Sequence, residues 1–163
     1  IYNQTKIPKE QWRYGLRTSA ATGCGWIATY NALRLMGYHA KPEELIRYYE
    51  WQLPLIHGNA GTSFWAPAVC FRNWGFPVKL VFDRKKFDQA AKESDVNIIF
   101  YYWRNKWKFG AHIVTVQHKG GRFWGYNTYR NSKSPDDWTE SIDGFLRKRK
   151  YFGPALICIR AKR

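Results

Sequence analysis

Apolar positions recur at helical spacing in the first half of the chain and shift to strand-like runs after Pro77. Residues 1–21 mix polar, basic and aromatic side chains without a clear period and read as an extended arm. From Cys24 to Gly37 the only charge is Arg34. A helix so nearly apolar all round is expected to be enclosed by the rest of its domain. Thr22 stands where an N-cap belongs, Gly25 keeps the approach to Cys24 open, and Gly37 suits the left-handed residue that ends a helix. Pro42-Glu43-Glu44 opens a second helix running to about Trp51, with proline at the first position and acids in the first turn. Leu53 to Gly61 reads as a loop, and Thr62 or Ser63 can cap a third helix that reaches Asn73 and closes at Gly75.

Pro77–Phe82 reads as a strand, Asp83 as an N-cap, and Arg84–Glu93 as a short helix with Phe87, Ala90 and Ala91 on one side. Strands follow at Val96–Trp103, Ala111–His118 and Arg122–Thr128, the last two joined across Lys119-Gly120-Gly121, a strong hairpin signal. Asn131–Trp138 reads as a polar loop, Ser141–Lys150 as a helix and Ala155–Ala161 as a final strand. Helices first and sheet second is an α+β order. With 163 residues, one domain spanning 1–163 is expected: an N-terminal arm at 1–21, a helical half at 22–75 and a sheet half at 76–163.

Composition alters this picture in three ways. Hydrophobic residues at 45% and aromatics at 18% exclude a disordered chain, and so many rings imply that some line a groove or an interface. A net charge of +15 favours an anionic partner, nucleic acid among them, or an anionic surface, without choosing between these and a merely soluble basic face. Cys24, Cys70 and Cys158 cannot all pair, and their positions fit neither a disulfide framework nor a zinc site, so at least one thiol stays free. No apolar run approaches the roughly 18 residues of a membrane span, and no metal or cofactor is expected. Ile1 in place of Met, without a signal-peptide pattern, fits a trimmed or processed chain or a domain of a longer one, and leaves the compartment open.

The candidate chemistry begins at Cys24. A thiol at a helix N-terminus meets unpaired N–H groups and the positive end of the macrodipole, which favour thiolate. A cysteine nucleophile needs a base, and the base needs a group to fix its tautomer. His112 opens a strand directly after Gly110, where its side chain can point at the end of a neighbouring helix. His118 lies roughly 20 Å further along at strand rise and cannot serve the same site. His39 and His57 sit in expected loops. With Gly120-Gly121 as a two-residue turn, facing residues sum to 241: His118 opposes Phe123, Val114 opposes Asn127, and His112 opposes Tyr129. Asn127 then shares a face with His112, diagonal to it, where its side-chain oxygen can accept from the imidazole. Cys70, on an apolar helical face, and Cys158, inside an apolar strand, fit the ordinary role of a small buried hydrophobe.

The run Gly23-Cys24-Gly25-Trp26-Ile27-Ala28-Thr29-Tyr30-Asn31-Ala32, followed by Gly110-Ala111-His112-Ile113-Val114 and by Tyr126-Asn127, resembles the papain-like cysteine peptidase superfamily. The likeness is closest to its bacteriocin double-glycine leader peptidases and the related phytochelatin-synthase branch. Separations of 88 residues from Cys24 to His112 and 15 from His112 to Asn127 are close to that pattern. The resemblance implies a cysteine-bearing helix packed on an antiparallel sheet, and a hydrolase acting on a peptide or protein. Cys24 would attack the amide, His112 would move the proton and Asn127 would orient His112. It departs from the family at the oxyanion glutamine usually found six residues before the cysteine: that position is Thr18, and the nearest upstream glutamine is Gln11, so either is the candidate donor. Acyl transfer or side-chain deamidation on the same fold is the alternative within the class. A basic polyanion-binding module with a decayed site is the alternative outside it. A small, strongly basic domain of this kind suits a bacterial toxin or effector.

Overall fold

The computed structural model describes residues 1–52 and 62–162; the expected loop Leu53–Gly61, with His57, lies outside the described residues. The chain opens with a single 3-10 turn at Gln4–Lys6 and a small hairpin of β1 (Arg13–Tyr14) and β2 (Arg17–Thr18). Four helices follow: α1 (Ser19–Thr22), α2 (Cys24–Leu35), α3 (Pro42–Gln52) and α4 (Ala66–Asn73). Then come β3 (Val78–Val81), α5 (Phe87–Lys92), β4 (Val96–Arg104), β5 (Phe109–Lys119), β6 (Arg122–Tyr126), β7 (Asp136–Asp137), α6 (Ile142–Lys148) and β8 (Phe152–Ile159). The class is α+β. Six strands form one sheet in the order β3-β8-β4-β5-β6-β7, and every neighbouring pair is antiparallel.

Helices cover both faces of this sheet. On one face Ile98, Phe100, Ile113 and Ile157 pack against Trp26 and Ile27 of α2, Leu45 and Tyr49 of α3, and Phe71 of α4. On the other, Ile99, Val114, Val116 and Leu156 meet Phe87 of α5, Phe145 and Leu146 of α6, and Trp138. A strand buried on both sides has no need of alternation, which is why β4 and β8 read as continuous apolar runs. Among the described residues, no helix is long and apolar enough to cross a membrane.

Gly120 and Gly121 take φ of +61° and +75°, as the tight turn requires, and set His118 opposite Phe123 and Lys119 opposite Arg122. That is the register expected from the sequence. Pairing ends with Thr115 opposite Tyr126, two residues short of the expected Thr128, because Asn127 and Tyr129 turn into the left-handed region at φ 68° and 64°.

Gly37, at φ 84°, terminates α2 as expected, with the Tyr38 N–H returning to the Leu33 carbonyl at 2.9 Å. Asp83 accepts from the Lys85 N–H at 3.0 Å and Ser141 from the Gly144 N–H at 3.0 Å. Other boundaries differ. The arm at 1–21 is not extended throughout but folds into single-turn and two-residue elements, too short to leave a period. Thr22 does not cap α2: it ends α1 with its hydroxyl on the Thr18 carbonyl, and Gly23 takes the N-cap position. Helix α4 begins at Ala66, with Trp65 rather than Thr62 or Ser63 at its cap. The polar loop before Trp138 contributes β7, which pairs with Trp124 and Gly125.

Candidate active site

Because β6 stops at Tyr126 while β5 runs back to Phe109, the edge of β5 ahead of Thr115 has no strand beside it. The start of α2 occupies that notch. Thr115, on the face toward α2, donates its hydroxyl to the Ala28 carbonyl at 2.8 Å and ties the helix to the strand. The backbone N–H of Ile113 then points to the Cys24 sulfur, together with the N–H groups of Gly25 and Cys24 itself. These donors act in the direction expected at a helix N-terminus, but burial outweighs them. Cys24 keeps part of its surface open, yet it is packed deeply enough that its thiol is pushed up to about 11. Among the described residues, no cation acts on it to offset the desolvation. Gly25, expected to clear the approach to the thiol, makes room for Thr62, whose side chain occupies the space that a Cβ at Gly25 would take.

His112 is 1% exposed and faces away from α2, on the side of Tyr101, Val114 and Val116. Its Nε2 lies 2.6 Å from the backbone carbonyl of Asn127. A carbonyl only accepts, so Nε2 carries the proton and Nδ1 of the neutral ring holds a lone pair. Nδ1 is buried and has no hydrogen-bond partner among the described residues; no hydrogen bond joins it to Cys24. The chain brings His112 and Asn127 into direct contact and sets Cys24 against the peptide that follows His112, leaving the thiol–imidazole link unmade. Burial lowers His112 to about 4, against the opposing pull of the Asn127 carbonyl. The Tyr129 ring stacks on the imidazole at 4.2 Å and 19°. Thiol and imidazole are both held neutral.

Asn127 is fully buried, but its amide does not orient His112. The left-handed turn at φ 68° swings its main-chain carbonyl to the ring and sends its side chain to Gln4. There Oδ1 accepts the Gln4 N–H at 2.8 Å, and Nδ2 donates to Gln4 Oε1 at 2.7 Å. Gln4 Nε2 donates in turn to the carbonyls of Ser19 and Ala20, at 3.3 and 3.1 Å, in the helical turn just before Cys24. Gln4 therefore couples the strand end carrying the His112 acceptor to the turn that precedes Cys24. The sequence reading missed it. Its nearest local signal was Asn3, which caps the 3-10 turn through the Thr5 N–H, and no short-range pattern announces a buried glutamine.

Of the two oxyanion candidates, Thr18 is half-buried at the N-cap of α1, and its hydroxyl forms no hydrogen bond among the described residues. Gln11 is exposed on the turn after Pro8, and its side chain likewise bonds nothing among them. The N–H of Cys24 is directed at its own sulfur. Cys70 and Cys158 are buried free thiols whose ionisation burial opposes. His118 leans on Phe123 at 5.0 Å and His39 is exposed, so neither joins the site. Neither the protein-family models nor the curated proteins compared with this chain give a match.

Proposed function

We propose that the protein is a papain-like cysteine hydrolase, most simply a peptidase, with Cys24 as nucleophile and His112 as general base. The observation that supports it most is the neutral His112 ring, fixed through Nε2 by the Asn127 carbonyl and left with an unpartnered Nδ1, on the residue directly before Ile113, whose N–H meets the Cys24 sulfur. Attack of Sγ on an amide carbon forms the C–S bond as the thiol proton passes to Nδ1. The resulting imidazolium keeps its Nε2–H on the carbonyl of Asn127, and the oxyanion meets the main-chain N–H of Cys24. His112 then returns the proton to the leaving nitrogen as the C–N bond breaks, and water resolves the thioester. With the thiol near 11 and the imidazole near 4, the proton moves during attack and not before it. Asn127 acts as a positioning residue through its carbonyl.

A thiol-directed electrophile read by intact mass, beside hydrolysis of a peptide mixture, tests this reading in wild type and Cys24→Ala. One adduct at Cys24 and loss of cleavage in the variant are expected, since Cys70 and Cys158 are buried. Equal labelling and cleavage in the variant would sink the assignment. The mass of the product separates hydrolysis from acyl transfer and from side-chain deamidation.

A further inference from the structure

Beside His112 lies a cleft of about 320 Å³ between Tyr101, Trp103, Tyr129 and Tyr151, with Arg104 at its rim. His112 contributes to its wall and Cys24 does not. The walls are braced. Tyr101 stacks on Tyr151 at 4.4 Å and 8°, and Tyr129 is stacked on His112. The Trp103 indole lies flat over its cross-strand partner Gly110, where a Cβ would come within 2.6 Å of the ring. Rigid aromatic walls favour a flat apolar guest, which loses little conformational freedom on entry. Arg104 is exposed and has no ion-pair partner among the described residues. Asp136, the carboxylate that acts on Tyr101 and Tyr151, is paired with Arg130 at 3.2 Å. Arg130 and Arg149 act on the Tyr151 end of the cleft as well, so its surroundings are cationic on balance.

Position relative to the reacting atoms decides which half of a substrate this cleft meets. An imidazole that protonates the leaving nitrogen must face the leaving half, while the acyl half stays on sulfur. A cleft walled by His112 and not by Cys24 is on the leaving side. We infer that it binds the leaving half of an amide substrate, taking an aromatic side chain on the first residue beyond the scissile bond and pairing a nearby carboxylate with Arg104. This rests on the reading of Cys24 and His112 as the reacting pair. The carboxylate is either the aromatic residue's own C-terminus or an acidic side chain next to it.

Binding of the corresponding leaving fragments, measured by isothermal titration calorimetry on wild type and on Cys24→Ala, tests the cleft without turnover. The probes are L-phenylalanine, phenylalanyl-aspartate amide, phenylalanyl-asparagine amide and alanyl-aspartate amide. One or both of the first two should bind about ten-fold or more tightly than the last two, and which of them does so identifies the carboxylate. Arg104→Gln should remove the advantage of a carboxylate, and Trp103→Leu the advantage of phenylalanine over alanine. Equal affinity of all four probes for the wild-type chain would overturn the inference, and that comparison stands even if Trp103→Leu fails to fold. Retained preference without any hydrolysis would leave the ligand class in place and remove the proposed reaction. Hydrolysis without preference would remove the cleft's role alone.

Discussion

At the residue scale the candidate site depends on one buried pair that is remote in sequence. Gln4 and Asn127 exchange two hydrogen bonds, and both residues are fully buried. Removing either side chain leaves buried polar groups unpaired: Asn127→Ala leaves the Gln4 N–H and Oε1 without partners, and Gln4→Ala leaves Asn127 Nδ2 without its acceptor and takes the Nε2 donor from the carbonyls of Ser19 and Ala20. Each substitution should cost about 2–3 kcal/mol in denaturant unfolding. The double variant should cost less than the sum by about 1–3 kcal/mol, since the second change removes a group already orphaned by the first. Additive losses would mean that the two side chains do not act on each other. Asn127→Gly, which retains a carbonyl and tolerates φ 68°, should lose stability by the same route while keeping more activity than an orienting amide would allow. Type and spacing single out Cys24, His112 and Asn127 as candidates, and the contact between His112 and Asn127 is present. Which atom of Asn127 meets the ring was not legible, because that depends on a left-handed turn one residue past the strand and on a glutamine from the far end of the chain.

Among the elements, β5 is the one that assembles the site. It pairs with β4 from Phe109 to Val116 and with β6 from Thr115 to Lys119, and holds α2 across one face. The Thr115 hydroxyl ties strand to helix beside the Ile113 N–H that meets Cys24, and Thr115→Val, close in shape but without the donor, isolates its part. The expected loss is about 1 kcal/mol in urea unfolding, accompanied by faster amide exchange at the start of α2. An unchanged midpoint and unchanged exchange would show that the Thr115 hydroxyl does not help to seat the helix. Elements with punctuation or a long period could be read directly: the double-glycine turn fixed the hairpin register, and the Gly37 stop and the Asp83 cap stand where the sequence put them. The single-turn α1 and the two-residue β7 could not be read because elements so short leave no repeat in their own residues, and α4 starts late because Ser63 offers only its carbonyl, to the Ala66 N–H, with no side-chain cap.

For the molecule as a whole, the same two neutral groups set a window of stability against a background of excess positive charge. His112 takes up its proton only near pH 4 when folded, against about 6.5 in an unfolded chain. Between those values the unfolded state binds the extra proton, so stability falls as the pH is lowered through this range, by about 3 kcal/mol in all. Cys24 acts on the other side: it stays protonated to about 11 when folded, against a reference of 9.0, so stability falls as the pH rises between those values. Maximum stability is therefore expected between about pH 6.5 and 9. The acid side carries a second load. Protonating carboxylates drives the net charge above +15 and strengthens self-repulsion. Salt separates the two contributions, because it screens charge repulsion between exposed groups and leaves the desolvation of a buried ring untouched. Urea midpoints of wild type and His112→Gln at pH 7 and pH 4.5, without and with added sodium chloride, should show a salt-recoverable loss in both proteins. The wild type alone should retain a further loss that salt does not restore. If the salt-resistant loss is the same in both, the acid instability belongs to the charge of the whole molecule and His112 contributes nothing to it.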